Sequence, residues 1–372
     1  MANLLPIPGT PLEDVDTPAL IVDLPVLEQN IEIMHSFFRN RVAKVRSVTK
    51  GHKCPAIAHL QMAAEGAIPL GLCCAKVSEA EIMVESGARD IRMIEQVVGK
   101  PKIERLMSLA RRAHVIALVD NPRHVDDLSE AAEAFGLKLD VLVEVEIGLR
   151  RCGVQPGRPT VDLARYVMSK KSLRFKGLSG HEFSGSISDR QQRVASQREN
   201  FQKLVNARAD VERAGILVEI CGGGATAAWN VAGTIDGITE IEPGAYVVMD
   251  YGTKRNMPDI EFGLALKVLS TIISRPTVDR AVIDCGHKMI GLGTNGGMPG
   301  MLAPGGAMVS RLNSEHGILD LKDEARTLSI GDKVELVPWY YGSAINANDH
   351  YIGIRNGKVE CVWRIAARGA HQ

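Results

Sequence analysis

From residue 17 to about residue 255, short apolar runs alternate with amphipathic segments of helical period. The apolar runs predict strands at Ala43–Thr49, Pro69–Ala75, Ile91–Gln96, Val115–Asp120, Leu139–Glu146, Phe175–His181, Val218–Cys221 and a run ending near Ile241. The amphipathic segments predict helices at Leu27–Phe38, Val77–Glu85, Lys102–Arg111, Val125–Phe135, Thr160–Ser169 and Arg190–Arg213. Apolar strands separated by helices indicate a parallel sheet buried on both faces. The eight strands counted from Ala43 are the number that closes a barrel, and an open doubly wound sheet is the alternative.

The pattern changes after about residue 255. Short strands are predicted at Leu264–Ile273, Ala281–Asp284, Lys333–Val337, Tyr351–Arg355 and Lys358–Trp363. Asn356-Gly357 predicts a hairpin turn, and the glycine-rich stretch Gly291–Gly306 predicts a long loop. We therefore expect an α/β protein with a (β/α)8 barrel at residues 26–254. Residues 1–25 and 255–372 are predicted to form a mostly-β domain.

Composition excludes several classes of partner. The chain has 44 Lys+Arg and 44 Asp+Glu, so no basic surface is expected for nucleic acid or an acidic membrane. Its seven cysteines are scattered without a CxxC pair, which is typical of reduced thiols. The first residues lack a signal-peptide pattern, and no apolar run approaches the ~20 residues of a membrane span. A cytoplasmic protein with a small-molecule substrate is the resulting expectation.

Three features are predicted to meet at one end of the barrel. Lys50 follows the first strand, Gly222-Gly223-Gly224 follows the seventh, and Glu242-Pro243-Gly244-Ala245 follows the eighth. Barrel active sites lie at this end, and phosphates often bind to the last two loops. A lysine near a phosphate-binding glycine loop is the arrangement that pyridoxal phosphate (PLP) requires. Each motif alone is equally compatible with a tight turn or a solvated lysine.

Longer segments carry a family resemblance. TPALIVDLPVLEQNI, RSVTKGHK, VEVEIGLRRCGV, CGGGATAAW and EIEPGAYVVMD resemble the fold-type III PLP enzymes. NSEHG and GDKVELVP…YIGIRNGKVECVW are similar to the branch of D-threonine aldolase, D-serine dehydratase and 3-hydroxyaspartate aldolase. The resemblance runs in order over almost the whole chain. It implies an alanine-racemase-like barrel, PLP as cofactor and a homodimer with shared active sites.

Matched residue by residue, the resemblance implies a cofactor site. Lys50 matches the Schiff-base lysine, Arg151 matches the arginine on the cofactor's phenolic oxygen, and His181 matches a position beside the ring. His181 is equally compatible with a buried structural histidine. The phosphate-binding positions are Gly223, Gly224, Ala225, Thr226, Gly244 and Ala245, with Tyr246 packed nearby.

Glu242 falls where alanine racemases place an arginine that faces the pyridine nitrogen. A carboxylate there favours the protonated nitrogen and makes the cofactor a stronger electron sink. We therefore expect Glu242 to contact this nitrogen.

The metal-ligand pattern of the branch is broken. Metal-dependent members carry His-x-Asp or His-x-Cys where this chain has Tyr340 and Gly342, and neither residue is a good ligand for a divalent ion. The inherited metal site is predicted to be absent, and a displaced site near Asp349 and His350 is the alternative. A second histidine that the aldolases use is also missing after His181.

These features predict a PLP-dependent lyase that acts on a β-hydroxy-α-amino acid without the family's metal. Its expected catalytic residues are Lys50, His181 and Tyr340. The alternative is an amino-acid racemase or epimerase that uses Lys50 and a tyrosine of the second domain. A non-catalytic PLP-binding protein is a third interpretation, but such proteins lack the second domain that residues 255–372 predict.

Overall fold

The computed structural model describes residues 5–69, 71–293 and 296–372. The strands are, in chain order, β1 (Ala19–Asp23), β2 (Lys44–Val45), β3 (Gly71–Cys74), β4 (Asp90–Met93), β5 (His114–Val119), β6 (Leu139–Glu146), β7 (Leu173–His181), β8 (Ile220–Gly223), β9 (Glu240–Ile241), β10 (Leu266–Thr277), β11 (Arg280–Ile283), β12 (Gly300–Met301), β13 (Ala307–Leu312), β14 (Gly317–Leu321), β15 (Lys333–Val337), β16 (His350–Arg355) and β17 (Lys358–Arg364). The helices are α1 (Leu24–Phe38), α2 (Pro55–Ala63), α3 (Val77–Glu85), α4 (Lys100–Ala110), α5 (Pro122–Ala134), α6 (Arg158–Met168), α7 (Arg190–Arg213), α8 (Trp229–Ala232), α9 (Tyr251–Asn256), α10 (His287–Ile290) and α11 (Tyr341–Ala347).

The chain divides into two compact units. The barrel unit comprises Glu32–Lys50, Pro55–Gly244 and Ala370–Gln372. The β unit comprises Met1–Ile31, Gly51–Cys54 and Ala245–Gly369. The predicted domain limits at residues 26–254 and 255–372 stay a prediction.

Within the barrel unit, the described residues form a parallel sheet in the order β2-β9-β8-β7-β6-β5-β4-β3. Parallel bridges between Val45 and Ala67 and between Val48 and Cys73 join the two ends. The strands are buried along nearly their whole length, as in β5, where five of six residues are buried. This is the closed (β/α)8 architecture predicted from the apolar runs, and the open doubly wound alternative is wrong.

Local signals explain where the barrel helices begin. Asn121 caps α5 by accepting a hydrogen bond from the Arg123 N–H, and Pro122 opens the first turn. Asp189 caps α7 by accepting from the Gln192 N–H. Each cap fixes the residue at which its helix begins: two residues separate β5 from α5, whereas eight residues separate β7 from α7.

The β unit is built on a mixed sheet in the order β13-β14-β11-β10-β1-β16-β17, with β15 pairing β10 and β12. β1 lies between β10, which is antiparallel to it, and β16, which is parallel. Its core is a cluster of aliphatic side chains: Val15, Ala19, Ile21, Leu269, Ile352, Ile354 and Val359. The segment before the barrel is thus held by backbone pairing to strands from the end of the chain.

Three strands of the β unit, β12, β13 and β14, were not predicted. β12, β13 and β14 lie where the pattern predicted a loop or no element, because short strands with polar positions carry little apolar signal. β12 falls inside the predicted loop Gly291–Gly306, so that prediction is wrong at Gly300–Met301. Residues 294 and 295 of the same stretch lie outside the described residues.

In the part of the chain that the structure describes, no helix combines the length and the apolar character needed to cross a membrane.

Candidate active site

Lys50 lies in a 3-10 helix at Thr49–Gly51, and four residues separate it from the end of β2. The Thr49 hydroxyl fixes this turn by hydrogen bonds to Glu79 Oε1 at 2.9 Å and to the Cys73 carbonyl at 3.1 Å. Lys50 remains partly exposed to solvent. Desolvation of its amine by the surrounding protein, followed by the positive charge of Arg151, lowers its pKa. A lowered pKa increases the neutral, nucleophilic fraction of the amine.

His181 and Arg151 share the electrostatic environment of Lys50. Burial, followed by the charges of Arg151 and Lys50, lowers the pKa of His181 to about 3. The Arg151 Nη2 lies 3.8 Å from Glu144 Oε1 and is largely exposed. The structure therefore brings Lys50, Arg151 and His181 together at the carboxyl end of the barrel, and it keeps His181 neutral at physiological pH.

The glycine loop after β8 permits a close approach of backbones. Gly223 has a φ of 147°, and a Cβ built there would lie 1.9 Å from the Gly180 carbonyl oxygen. Gly224 has a φ of 85°, and its Cβ would lie 2.7 Å from Phe201 Cζ. Only glycine satisfies both the backbone angles and the space. Ala225 and the short 3-10 helix Thr226–Ala228 follow directly.

Hydrogen bonds connect the loops that follow β2, β8 and β9. The Glu242 N–H donates to the Gly223 carbonyl at 3.1 Å, and the Val48 N–H donates to the Pro243 carbonyl at 3.0 Å. A Cβ on Gly244 would lie 3.2 Å from Val48 Cβ. The three sequence features that were predicted to meet at one end of the barrel do so.

Glu242 is the last member of a row of four buried charges, Arg46, Glu240, Arg92 and Glu242, called here the buried charge row. Its carboxylate lies 2.5 Å from Arg92 Nη1, and that nitrogen also lies 3.3 Å from Glu240 Oε2. Burial raises the pKa of Glu242, and the charge of Arg92 opposes this shift. No sequence motif pointed to Arg46 or Arg92, although an arginine inside the apolar run DIRMI was a signal available for Arg92.

The remaining predicted site residues belong to the β unit. Ala245 and Tyr246 lie in a 3-10 helix at Ala245–Val247, and the buried Tyr246 ring packs on Phe262 with 5.6 Å between centroids. Tyr340 is 42% exposed and its ring centroid lies 4.8 Å from that of Tyr341. Partial burial raises the pKa of the Tyr340 phenol, so it is protonated near neutral pH.

The position matched to a metal ligand is filled by an aromatic ring. A Cβ on Gly342 would lie 2.6 Å from Tyr340 Cε1 and 2.9 Å from its hydroxyl oxygen. Asp349 Oδ1 lies 2.5 Å from Arg368 Nη2, and His350 pairs with Arg364 in the β16–β17 ladder. Asp349 thus has a cationic partner, and a displaced metal site near Asp349 and His350 stays a prediction.

One acidic cluster lies in the barrel unit. Among the described residues, Asp120, Glu144 and Cys152 are the group whose ligand atoms lie close enough to hold an ion. The Asp120 carboxylate already accepts a hydrogen bond from the Gly153 N–H at 2.9 Å. The cluster borders an open cleft of about 820 Å³ that Arg150 and Arg151 also line. The Asp120 carboxylate thus holds the loop that carries Arg151.

Glu182 is another residue that sequence reasoning missed. It follows His181, it is fully buried, and Ser184 opposes the effect of burial on its pKa. Burial raises its pKa. Nearby, the Gln197 amide donates to Ser184 Oγ at 2.7 Å and to the Ala227 carbonyl at 2.9 Å, which ties the segment after β7 to the glycine loop.

Comparison with known proteins identifies the family. The model of the alanine racemase N-terminal domain matches residues 22–252, and a serine dehydratase domain model matches residues 265–354. The chain belongs to the alanine racemase N-terminal domain family. D-threonine aldolase of Arthrobacter sp is 33% identical over 97% of the chain and 95% of its own length. 3-Hydroxy-D-aspartate aldolase of Paracoccus denitrificans is 32% identical over 98% and 95%.

A solved structure agrees with these relatives. The D-threonine aldolase from Filomicrobium marinum superimposes with a TM-score of 0.94 and 38% identity, over 99% of this chain and 100% of that one. The predicted family, its barrel fold and its lyase branch are thereby confirmed. The alternative interpretation, an amino-acid racemase, rests on the family's alanine racemases. It is less supported, because the two relatives that match almost the whole chain are aldolases.

Proposed function

We propose that this protein is a PLP-dependent lyase that cleaves or dehydrates a small β-hydroxy-α-amino acid. The observation that carries the proposal is the convergence of Lys50, Arg151 and His181 beside a glycine loop that accepts no Cβ. The aldolase names of the relatives support the substrate class. When bound, PLP supplies an electron sink for the substrate's α-carbon.

The residues present fit this cofactor. Lys50 would hold it covalently, and Arg151 would donate to its phenolic oxygen. The phosphate would lie against the backbone of Gly223, Gly224, Ala225 and Thr226, with Gly244, Ala245 and Tyr246 completing the predicted set. Backbone N–H groups in such a glycine turn are well suited to an anion. Glu242 would accept from the ring nitrogen.

Three side chains are the proposed catalytic residues. Because its pKa is lowered, a larger fraction of Lys50 is the neutral amine, which is the form that can accept a proton. His181 stays neutral because its pKa is about 3, so it acts as a hydrogen-bonding group rather than as a cation. Tyr340, protonated and partly exposed, is the third proposed catalytic residue.

We propose that the reaction does not use the divalent metal of the branch. The support is chemical, because the matched positions hold a phenol and a glycine, and the phenol ring occupies the glycine's side-chain space. The salt bridge of Asp349 with Arg368 argues against a displaced site.

A racemase remains the second candidate, and the exposed phenol of Tyr340 is the observation that favours it. In that case Lys50 and Tyr340 would each exchange one α-proton. A homodimer with shared sites is part of the proposal in either case, and sedimentation of the purified chain tests it.

The deciding experiment is a panel of D- and L-β-hydroxy amino acids, assayed with PLP and with or without EDTA. Aldehyde plus glycine identifies an aldolase, and ammonia plus a keto acid identifies a dehydratase. Loss of optical rotation without either product identifies the racemase and overturns the lyase proposal. Activity that EDTA abolishes and added Mn²⁺ restores would contradict metal independence.

A further inference from the structure

The buried charge row crosses the interior of the barrel. Arg46 lies just after β2, Arg92 in β4, Glu240 in β9 and Glu242 just after β9. Each side chain is at most 7% exposed. Two cations and two anions alternate, so the row is neutral when all four groups are ionised. Removing any one of these charges leaves the row with a net charge in a buried region.

The row is not symmetric. Arg46 holds Glu240 with two hydrogen bonds, from Nε at 2.9 Å and from Nη2 at 3.1 Å. Glu240 thus has a partner of its own. Arg92 lies closer to Glu242, at 2.5 Å, than to Glu240, at 3.3 Å. Among the described residues, the Arg92 Nε and Nη2 atoms have no hydrogen-bond partner. Arg92 Nη1 donates a hydrogen bond to Glu240 and makes its shorter ion-pair contact with Glu242, so both glutamates orient Arg92.

We propose that Arg92 is a positioning residue that keeps Glu242 ionised and aimed at the cofactor's ring nitrogen. This inference rests on the proposed function, because it requires PLP at the end of the barrel. Arg92 is fully buried and contacts Glu242, so its proposed action on the cofactor runs through that carboxylate.

The groups around Glu242 support this assignment. Its charge interacts with Arg92, Glu240, Arg46, Lys50, Cys73 and Glu144. Burial and Glu240 favour the protonated acid, whereas Arg92 is the largest influence in favour of the carboxylate. Without Arg92, Glu242 would take up a proton and become a hydrogen-bond donor. It could then no longer stabilise a protonated ring nitrogen.

The test uses the full-length protein prepared without cofactor and titrated with PLP. Wild type is compared with Arg92→Met, Arg92→Lys, Glu242→Gln and the double variant Arg92→Met/Glu242→Gln. Arg105→Met is the matched control, because it removes an arginine from an ion pair with Glu81 on the outer surface of the barrel. The readouts are PLP affinity by fluorescence, the pH midpoint of the bound cofactor's visible absorption band, and urea unfolding of the cofactor-free chain.

We expect Arg92→Met to shift the midpoint by about one pH unit or more, and Arg105→Met to leave it unchanged. Arg92→Lys restores part of the wild-type value. In the Glu242→Gln background, Arg92→Met adds no further shift, and the double variant unfolds at higher urea than Arg92→Met because both charges are gone.

A wild-type midpoint in Arg92→Met, or a shift that persists undiminished in the Glu242→Gln background, would overturn the inference. If Arg92→Met does not fold, Arg92→Lys and the double variant give the same comparison. Failure of the wild-type chain to bind PLP contradicts the proposed function itself, and is distinguished from these results by the affinity measurement.

Discussion

At the residue scale, Tyr340 is where this chain departs most from its branch. Its hydroxyl is 2.9 Å from the Cβ position of Gly342, so the phenol stands where two metal ligands are expected. If it transfers a proton, Tyr340→Phe lowers kcat by about 10²-fold with little change in KM. Tyr341→Phe, one residue along, is the control and keeps most of the activity. Steady-state kinetics decide, and equal kcat values for both variants would assign Tyr340 a packing role only.

The residue scale also shows what sequence patterns contain and what they do not. Lys50, Arg151 and the glycine loop were predicted because each lies in a short contiguous motif after a strand. Arg92 and Glu242 are 150 positions apart in the chain, and their contact arises only when β4 faces β9 across the barrel interior. A single sequence contains no signal for such a pairing, apart from a charge inside an apolar run.

At the scale of elements, the barrel strands were predictable because burial on both faces gives them apolar runs, as in β5 (HVIALV). The strands of the β unit were less predictable. In β13 (Ala307–Leu312) one residue of six is buried, and in its partner β14 buried residues alternate with more exposed ones. The predicted strand bounds near the site also differ from those in the structure. Ala43–Thr49 was predicted as a strand, whereas β2 ends at Val45 and Thr49 already belongs to the turn that presents Lys50.

The glycine loop after β8 gives a prediction at the same scale. Gly223→Ala would place a methyl group 1.9 Å from the Gly180 carbonyl oxygen, so β7 and β8 must separate. We expect it to lower the free energy of unfolding by more than about 3 kcal/mol and to weaken PLP binding. Gly215→Ala is the control, because Gly215 also has a positive φ, 81°, but nothing within 4 Å. Its cost is about 1–2 kcal/mol. Urea unfolding measures both, and similar losses would show that backbone strain alone explains the effect.

At the scale of the whole barrel, a charge network that is connected to the buried charge row through Arg46 joins adjacent strands at their amino ends. His114 opens β5 and lies 2.7 Å from Asp140 of β6 and 3.3 Å from Asp90 of β4. Arg46 holds Asp90 at 2.8 Å, and Arg174 of β7 holds Asp140. The hydrogen bonds from Asp140 and Asp90 raise the pKa of His114 from 6.5 to about 9. The imidazolium therefore connects three consecutive strands of the barrel.

This raised pKa sets the pH dependence of stability. A histidine whose folded-state pKa lies above its unfolded value contributes stability that is fully present below pH 6.5 and lost as pH rises through about 9. We expect the Tm of the wild-type chain to fall between these pH values, and His114→Gln to have a lower Tm at pH 6 but a flatter profile. His59→Gln is the control, because it removes an exposed histidine on α2 whose Nε2 lies 2.7 Å from the Ser86 carbonyl oxygen. Parallel Tm profiles for wild type and His114→Gln from pH 6 to pH 10 would show that the network does not couple protonation to folding. Convergence of the two profiles above pH 9 would show that one imidazolium between two carboxylates stabilises the closed sheet on the side opposite Lys50.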